Sequence, residues 1–224
     1  MPAEIRPQGQ LDRDLTTLRD NVFRLGSLAA EAIRRAQQAL VERQSALAQD
    51  VIGDDRQINA FRYAIEQDCY RLMATQQPTA RDLRSIIAAI HITAELERMA
   101  DYAVGTARLS LDLLKEPMVN LPLELGRMEH IAQEMLTDTL GAYLRWHADL
   151  AQQTILRDRE VDQLRKKLNQ KLNAHMQAQH DHITACMYLM WAGHNLERVA
   201  DHTTNICERV VFMVTGLMVM EEEG

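Results

Sequence analysis

The stretch NLERVADHTTNI, residues 195–206, repeats a pattern that occurs one hundred positions earlier as ELERMADYAVGT, residues 95–106. Both copies carry Leu, Glu, Arg, Ala and Asp at matching places inside an otherwise apolar segment. Residues that are four apart lie on the same face of a helix. Each copy therefore presents two carboxylates on one helical face, and these pairs are Glu97 with Asp101 and Glu197 with Asp201.

The composition around these pairs predicts an all-α protein. The 224 residues contain only 9 Gly and 5 Pro, aromatic residues make up 4%, and Ala, Leu, Gln, Arg and Glu dominate. These are helix-forming residues, and long runs of β-branched side chains are scarce. Apolar spacing of three and four residues, interrupted by turn signals at the prolines, predicts six helices. They cover 10–43, 46–76, a segment ending near 115, 122–147, 149–177 and 181–220.

The second half of the chain repeats the first. LAQDVIGDDRQI, residues 47–58, aligns without gaps to LAQQTILRDREV, residues 150–161. Together with the duplicated acidic pair, this predicts a tandem pair of three-helix bundles with an internal two-fold repeat. The predicted organisation is a flexible tail over 1–9, a first three-helix unit over 10–116 and a second over 117–224.

Each acidic pair is expected to face a second polar pair on the neighbouring helix. The second and third helices are expected to fold antiparallel about the turn near residue 78, and the fifth and sixth about the turn near residue 180. In each unit this pairing brings four oxygen-bearing side chains to the same level along the helix axes. Such a cluster is repulsive unless a cation compensates it, and oxygen ligands suit Mg, Ca, Mn or ferric iron. The two sets are Asp55, Asn59, Glu97 and Asp101, and Asp158, Asp162, Glu197 and Asp201.

Other interpretations of the acidic pairs remain open at this point. Ion pairs with Arg98 and Arg198 would neutralise them without metal. His194, one turn before Glu197, is either an auxiliary ligand or an ordinary core or surface histidine. Classical ferritin-like diiron chemistry is disfavoured, since it needs Glu-x-x-His and none of the eight His has a Glu three residues before it. We find no Gly-rich phosphate loop, nucleophile elbow or HExxH, so no catalytic residue is predicted.

Charge and hydropathy exclude several classes of function. The net charge of −7 argues against nucleic-acid binding. The N-terminus lacks the apolar core of a signal peptide. The longest apolar run, Val210–Met220, has about 11 residues, whereas a membrane span needs about 20. We therefore expect a cytoplasmic protein without direct membrane insertion. The cysteines show no CxxC spacing and are expected to be small buried hydrophobes; they are Cys69, Cys186 and Cys207.

Four motifs give the chain a resemblance to a known family over nearly its whole length. QQPTARDLR (76–84), LERMADYA (96–103), DREVDQL (158–164) and LERVADHTTNICE (196–208) resemble the PhoU family of phosphate-transport accessory and signalling proteins. The resemblance implies metal clusters on E-x-x-x-D motifs, with iron or zinc as the metal, and the oxygen-rich ligand set keeps manganese and magnesium as alternatives. The ligands it implies are Glu97 and Asp101 in one site, Glu197, Asp201 and Asn205 in the other, and the accompanying acids Asp55, Asp158 and Asp162.

The two implied sites are unequal. Gly105 stands where family members often carry Asn, and Asn59 takes the place that Asp162 has in the second copy. The first site is therefore poorer in oxygen ligands. If only one site holds metal, we expect it to be the C-terminal one.

The resemblance also implies a non-enzymatic role. Such proteins look like adaptors between the ATPase subunit of a phosphate ABC transporter and a phosphate-sensing histidine kinase, and the chain is expected to form a homodimer. An alternative from another class is a metal-dependent enzyme or metal-storage bundle that uses the paired carboxylates. A third is a structural bundle whose acids stay free of metal.

Overall fold

The computed structural model describes residues 9–217, and over these residues the chain is a bundle of seven α-helices. A single 3-10 turn, His180–His182, precedes the last helix. The all-α prediction and the duplicated bundle are confirmed. The helices are α1 (Gln10–Glu42), α2 (Ser45–Gln76), α3 (Ala80–Leu113), α4 (Leu123–Arg145), α5 (Ala148–Ile155), α6 (Asp158–Ala178) and α7 (Ile183–Thr215).

The fifth predicted helix is broken into α5 and α6, so that prediction was wrong in detail. The break falls at Leu156 and Arg157, and the backbone N–H of Arg157 bonds to the carbonyl of Thr154. The Arg157 guanidinium reaches across to α4, 2.5 Å from Glu134 and 3.4 Å from Asp138. These contacts tie the break to α4, and α6 then starts afresh with Asp158 as its first residue.

Both ends of the chain extend beyond the part that the structure describes. Of the predicted tail over 1–9, only Gly9 is described, at the start of α1. At the other end α7 stops at Thr215, because Gly216 takes a left-handed conformation with φ of 77°. The last residues of the helix predicted to run to 220 lie outside the described range.

The centre of the molecule is the antiparallel pair of α3 and α7. α3 packs against α1, α2 and α7, while α7 also packs against α4, α5 and α6. The direction follows from two contacts, since Ser85 near the start of α3 lies 3.9 Å from Met213 near the end of α7, and Asn195 donates to Thr106 at 3.1 Å. The two copies of the acidic motif therefore lie side by side at mid-length, with α2 and α6 on their outer sides.

The core confirms the interpretation of the cysteines. Cys69, Cys186 and Cys207 are all buried and free of disulfides. Burial raises the pKa of the Cys69 and Cys207 thiols to about 12 and also raises that of Cys186. None of the helices within 9–217 combines the length and the apolar character that crossing a membrane requires.

Two candidate metal-binding clusters

The first cluster consists of Asp55 and Asn59 on α2 and Glu97 and Asp101 on α3. The amide nitrogen of Asn59 donates to Asp55 Oδ2 at 3.0 Å. The other oxygens of these two residues, Asp55 Oδ1 and Asn59 Oδ1, are buried without a hydrogen-bond partner. Buried polar atoms are normally hydrogen-bonded, so two orphaned oxygens in one place leave room for a donor or a cation.

Burial and neighbouring negative charges raise the pKa values of Glu97 and Asp101 in the first cluster. Burial raises the pKa of Glu97, and the charges of Asp101 and Asp55 raise it further. Burial likewise raises the pKa of Asp101, followed by the charge of Asp55. The charges of Arg62 and Arg98 oppose these shifts at Glu97. The structure therefore brings Asp55, Glu97 and Asp101 together, as the hairpin geometry predicts.

The second cluster consists of Asp158 and Asp162 on α6 and Glu197 and Asp201 on α7. Burial raises the pKa of Asp158 to about 6, and the charges of Asp201, Asp162 and Glu197 add to the shift. Asp158 Oδ1 is buried without a hydrogen-bond partner. Burial also raises the pKa of Asp201, against the opposing charge of Arg198. The four side chains thus form a second group of mutually repelling acids.

The second cluster is partly neutralised by the protein's own cations. Arg165 donates to Glu197 Oε1, and His194 Nδ1 lies 3.1 Å from Glu197 Oε2. Arg198 lies 2.6 Å from Asp201. In the first cluster, by contrast, neither Glu97 nor Asp101 forms an ion pair with any residue of the described chain. The ion-pair interpretation of the motif therefore applies to Arg198 and Asp201 but not to the first copy.

Asn205 and Gly105, the positions at which the two copies differ, lie on the α3–α7 interface. Asn205 donates to Glu95 on α3 at 3.0 Å, and the buried His202 lies 2.6 Å from the same carboxylate oxygen. At the related place Asn195 packs over Gly105, where an added Cβ would lie 3.2 Å from its amide nitrogen. The glycine thus admits Asn195 between the two repeats.

The Glu95–His202 pair was not predicted, because both residues lie at positions where the two copies of the motif differ, with Asn195 and Tyr102 as their counterparts. The Nε2 atom of His202 is buried without a hydrogen-bond partner, and the ring lies 5.5 Å from the Tyr102 ring. Tyr102 OH in turn accepts from Arg198 at 3.4 Å. Polar contacts therefore connect α3 with the second cluster through Arg198.

The side chains of both clusters are of the chemical types that bind a cation. Each cluster offers carboxylate or amide oxygens, some of them orphaned, and carboxylates with raised pKa values, which is a donor set for a hard cation. Over residues 9–217 no three or more His, Cys, Asp or Glu side chains are already arranged around a common point as metal ligands. Cation binding would therefore require the side chains to turn toward one another.

The fold and the paired clusters define a class: tandem three-helix bundles with an acidic E-x-x-x-D motif in each repeat. The family model for the PhoU domain matches the chain twice, over residues 22–109 and 125–210. The chain belongs to the PhoU family, as its motifs predict.

Relatives and solved structures cover almost the entire chain. The phosphate-specific transport system accessory protein PhoU homolog of Streptococcus pneumoniae is 34% identical over 213 residues, which are 95% of this chain and 98% of the relative. The homolog of Pseudomonas putida is 33% identical over 210 residues, 92% of this chain and 81% of the relative. The crystal structure of the phosphate transport system regulatory protein PhoU from Streptococcus pneumoniae superposes with a TM-score of 0.88 at 33% identity, covering 94% of this chain and all of the other. PhoU from Pseudomonas aeruginosa gives 0.88 at 32% identity, covering 93% of this chain and 100% of the other.

Proposed function

We propose that this protein is an accessory, regulatory component of a phosphate transport system. The observation that carries the proposal is the near full-length similarity to proteins of that name, in sequence and in fold. Both family-model matches include one copy of the acidic motif. The PhoU domain thus occurs twice in this chain, and each copy carries one of the two acidic clusters. The presence of both supports a regulatory role for this chain.

The finer part of the proposal is an adaptor that works through protein contacts. It docks on the transporter's ATPase subunit and on a phosphate-sensing histidine kinase, in the cytoplasm and as a homodimer. The net charge of −7 supports protein partners over nucleic acid. The lack of a membrane-crossing helix over 9–217 supports peripheral contact with membrane complexes.

We further propose that both clusters hold metal ions, with iron or zinc first and manganese or magnesium as alternatives. Asp55, Asn59, Glu97 and Asp101 would hold one site, and Asp158, Asp162, Glu197 and Asp201 the other, with Asn205 as a further ligand if it leaves Glu95. A bound cation supplies positive charge that neutralises the clustered acids. The carboxylates themselves come from two helices in each repeat, so they couple cation binding to the position of α2 against α3 and of α6 against α7.

Deleting the gene tests the regulatory role. We expect phosphate-starvation genes to stay expressed in phosphate-rich medium, and wild-type protein or the exposed-residue variant Glu160→Gln to restore repression. The double variant Glu97→Gln/Glu197→Gln is expected to restore it poorly. Starvation-gene expression that is unchanged by the deletion would refute the regulatory role, and purified ATPase subunit and kinase that fail to retain the protein would refute the adaptor role.

Elemental analysis tests the metal sites separately. Protein purified without chelator is expected to carry metal, as is Glu160→Gln, whereas Glu97→Gln/Glu197→Gln loses most of it. Near-zero metal in all three proteins would contradict the proposal that the clusters bind metal, but it would not contradict the proposed adaptor function. Turnover of phosphoesters with added iron, manganese or magnesium, if lost in Asp201→Ala, would instead favour the enzyme alternative.

A further inference from the structure

An arginine occupies the same position beside each of the two clusters. In the register that aligns 47–58 with 150–161, Arg62 on α2 corresponds to Arg165 on α6. Each lies on the helix that supplies two of the side chains of its cluster, one turn beyond the second of them. The Nε atom of each arginine is buried without a hydrogen-bond partner. Equivalent positive charges therefore lie next to both clusters.

The two arginines pair with different acids. Arg165 donates to Glu197, the glutamate of the second acidic motif. The guanidinium of Arg62 instead lies 3.4 Å from the carboxylate of Glu66, one turn further along its own helix. An arginine at this position can thus either reach across to the facing helix or stay along its own.

The residue one turn after the arginine differs between the repeats. Asn169 occupies the position that Glu66 has in the first repeat. A neutral amide offers Arg165 no charge to pair with, and the Oδ1 atom of Asn169 is buried without a hydrogen-bond partner. The ion pair that holds Arg62 along α2 is therefore not available to Arg165 along α6.

The residue directly after the arginine acts in the same direction. The guanidinium carbon of Arg62 lies 4.9 Å from the centre of the Tyr63 ring, a distance at which a cation is attracted to the ring. Lys166 takes the place of Tyr63 in the second repeat and puts a like charge next to Arg165. Attraction along the helix in the first repeat is thus replaced by repulsion in the second.

The first cluster attracts Arg62, so the pair with Glu66 has to compete with it. Burial raises the pKa of Glu97, and the charge of Arg62 opposes this shift, which places Arg62 within electrostatic reach of that acid. The side chains of Arg62 and Glu66 are only 21% and 19% exposed, and an ion pair shielded to this degree is weakened less by salt than a surface pair. Without Glu66, the shielded guanidinium would have Glu97 as the nearest cluster acid to turn to, as Arg165 does with Glu197.

We propose that Glu66 is a positioning residue that keeps the first cluster open to a cation by holding Arg62 along α2. In the second repeat Asn169 leaves Arg165 free to close on Glu197. A cation that enters the first cluster breaks no ion pair, whereas one that enters the second displaces an arginine. The proposal rests on the proposed metal sites, and it assigns the affinity of each cluster to the residue one turn after its arginine.

Exchanging these two residues tests the proposal by titration calorimetry with Mn²⁺ on the full-length protein. The first cluster is measured in a Glu197→Gln background and the second in a Glu97→Gln background, so that each is observed alone. Glu66→Asn should weaken binding at the first cluster about tenfold, the effect of one charge-assisted hydrogen bond that the cation has to break. Asn169→Glu should strengthen binding at the second about threefold, less than tenfold because His194 still lies beside Glu197. An affinity within twofold of the background in either variant would overturn the proposal.

Matched variants separate the position of the arginine from net charge. Asp68→Asn removes the same charge two residues along α2, and Gln170→Glu adds the same charge next to Asn169; both should leave the affinity within about twofold. Arg62→Gln/Glu66→Asn should recover the affinity that Glu66→Asn loses, because the competing cation is gone. Asn169→Asp, which keeps the shape of the side chain, should act in the same direction as Asn169→Glu. An equal loss in Asp68→Asn, or a double variant that stays weak, would contradict the proposal.

A crystal structure of Glu66→Asn grown with chelator tests the positioning without metal. The guanidinium of Arg62 should lie within about 4 Å of the Glu97 carboxylate, the limit for an ion pair. An Arg62 side chain that stays along α2 would overturn the proposal whatever the titrations give.

The proposal and the metal sites fail in different ways. If neither Mn²⁺, Zn²⁺ nor Fe²⁺ binds to either cluster of the wild-type protein, the metal sites are refuted and the proposed control of their affinity with them. If the wild-type clusters bind Mn²⁺ but the exchanged variants bind it like their controls, the role of Glu66 and Asn169 is refuted and the metal sites are not.

Discussion

Replacing Asp158 by Asn is expected to stabilise the metal-free protein at neutral pH. Asp158 is the first residue of α6, and its Oδ1 atom is buried without a partner. Burial and the charges of Asp201, Asp162 and Glu197 raise its pKa from 3.8 to about 6. The folded protein therefore holds this proton more tightly than the unfolded chain does. The resulting destabilisation builds up as pH rises from about 4 to about 6 and stays constant above that range.

The magnitude follows from the shift in pKa. At 1.36 kcal/mol per unit, a fully buried group with this shift would lose about 3 kcal/mol at pH 7. Asp158 is only half-buried, and solvent screening reduces the figure to about 1.5 kcal/mol. Asn also gives up the favourable interaction of a carboxylate with the N-terminus of α6, about 0.5 kcal/mol. The net gain of about 1 kcal/mol corresponds to roughly 2–4 °C in Tm for a chain of this size.

Thermal unfolding in the presence of chelator measures the effect. Asp158→Asn should melt about 2–4 °C above wild type at pH 7.5, and most of the difference should vanish at pH 4.5, where wild type is already protonated. Glu160→Gln, an exposed acid in the same turn, should not show this behaviour. Added Mn²⁺ or Zn²⁺ should raise the Tm of wild type more than that of the variant. The reasoning would be refuted if Asp158→Asn melted below wild type at pH 7.5. It would also be refuted if the difference in Tm between the two proteins were the same at pH 7.5 and pH 4.5.

Three further substitutions test the packing and the second cluster. Gly193→Ala should lower the free energy of unfolding by about 1–3 kcal/mol in urea, because the new Cβ would lie 2.4 Å from Leu168 Cδ2; a stabilised variant would contradict this close contact. Leu96→Ala, in the core of α3, should cost about 2–5 kcal/mol in the same assay, and a loss below 1 kcal/mol would argue against its burial. Arg165→Ala should raise the affinity of the second cluster for a divalent cation several-fold by titration calorimetry, because it removes the cation paired with Glu197; weaker binding would show that Arg165 supports the site.

The helical fold and the placement of the acids could be read from the chain because both depend on local rules. Helical spacing places Glu97 and Asp101 on one face, and a tight turn fixes the register of the two helices that it joins. Counting back from the turn at Pro78 is thus enough to bring Asp55 opposite Asp101, and the structure shows their charges interacting. Whether the clusters hold metal stays a prediction.

The contacts between units could not be read in this way. The break before α6 depends on Arg157 reaching α4, and the repeat itself does not predict it. The pairing of Glu95 with His202 depends on α3 and α7 running antiparallel at the centre, a relation between the two units that no turn specifies. The charge on Arg165 was visible in the sequence, but its contact with Glu197 depends on the packing of α6 against α7.

The arginine side chains that pair with the second cluster change how the two clusters should be compared. By oxygen count the second cluster is the richer, because Asp162 stands where the first cluster has Asn59. A cation that enters it must, however, compete with Arg165 for Glu197 and with Arg198 for Asp201, whereas Glu97 and Asp101 have no ion pair to give up within 9–217. Binding at the second cluster is therefore coupled to a rearrangement of arginines, and binding at the first is not.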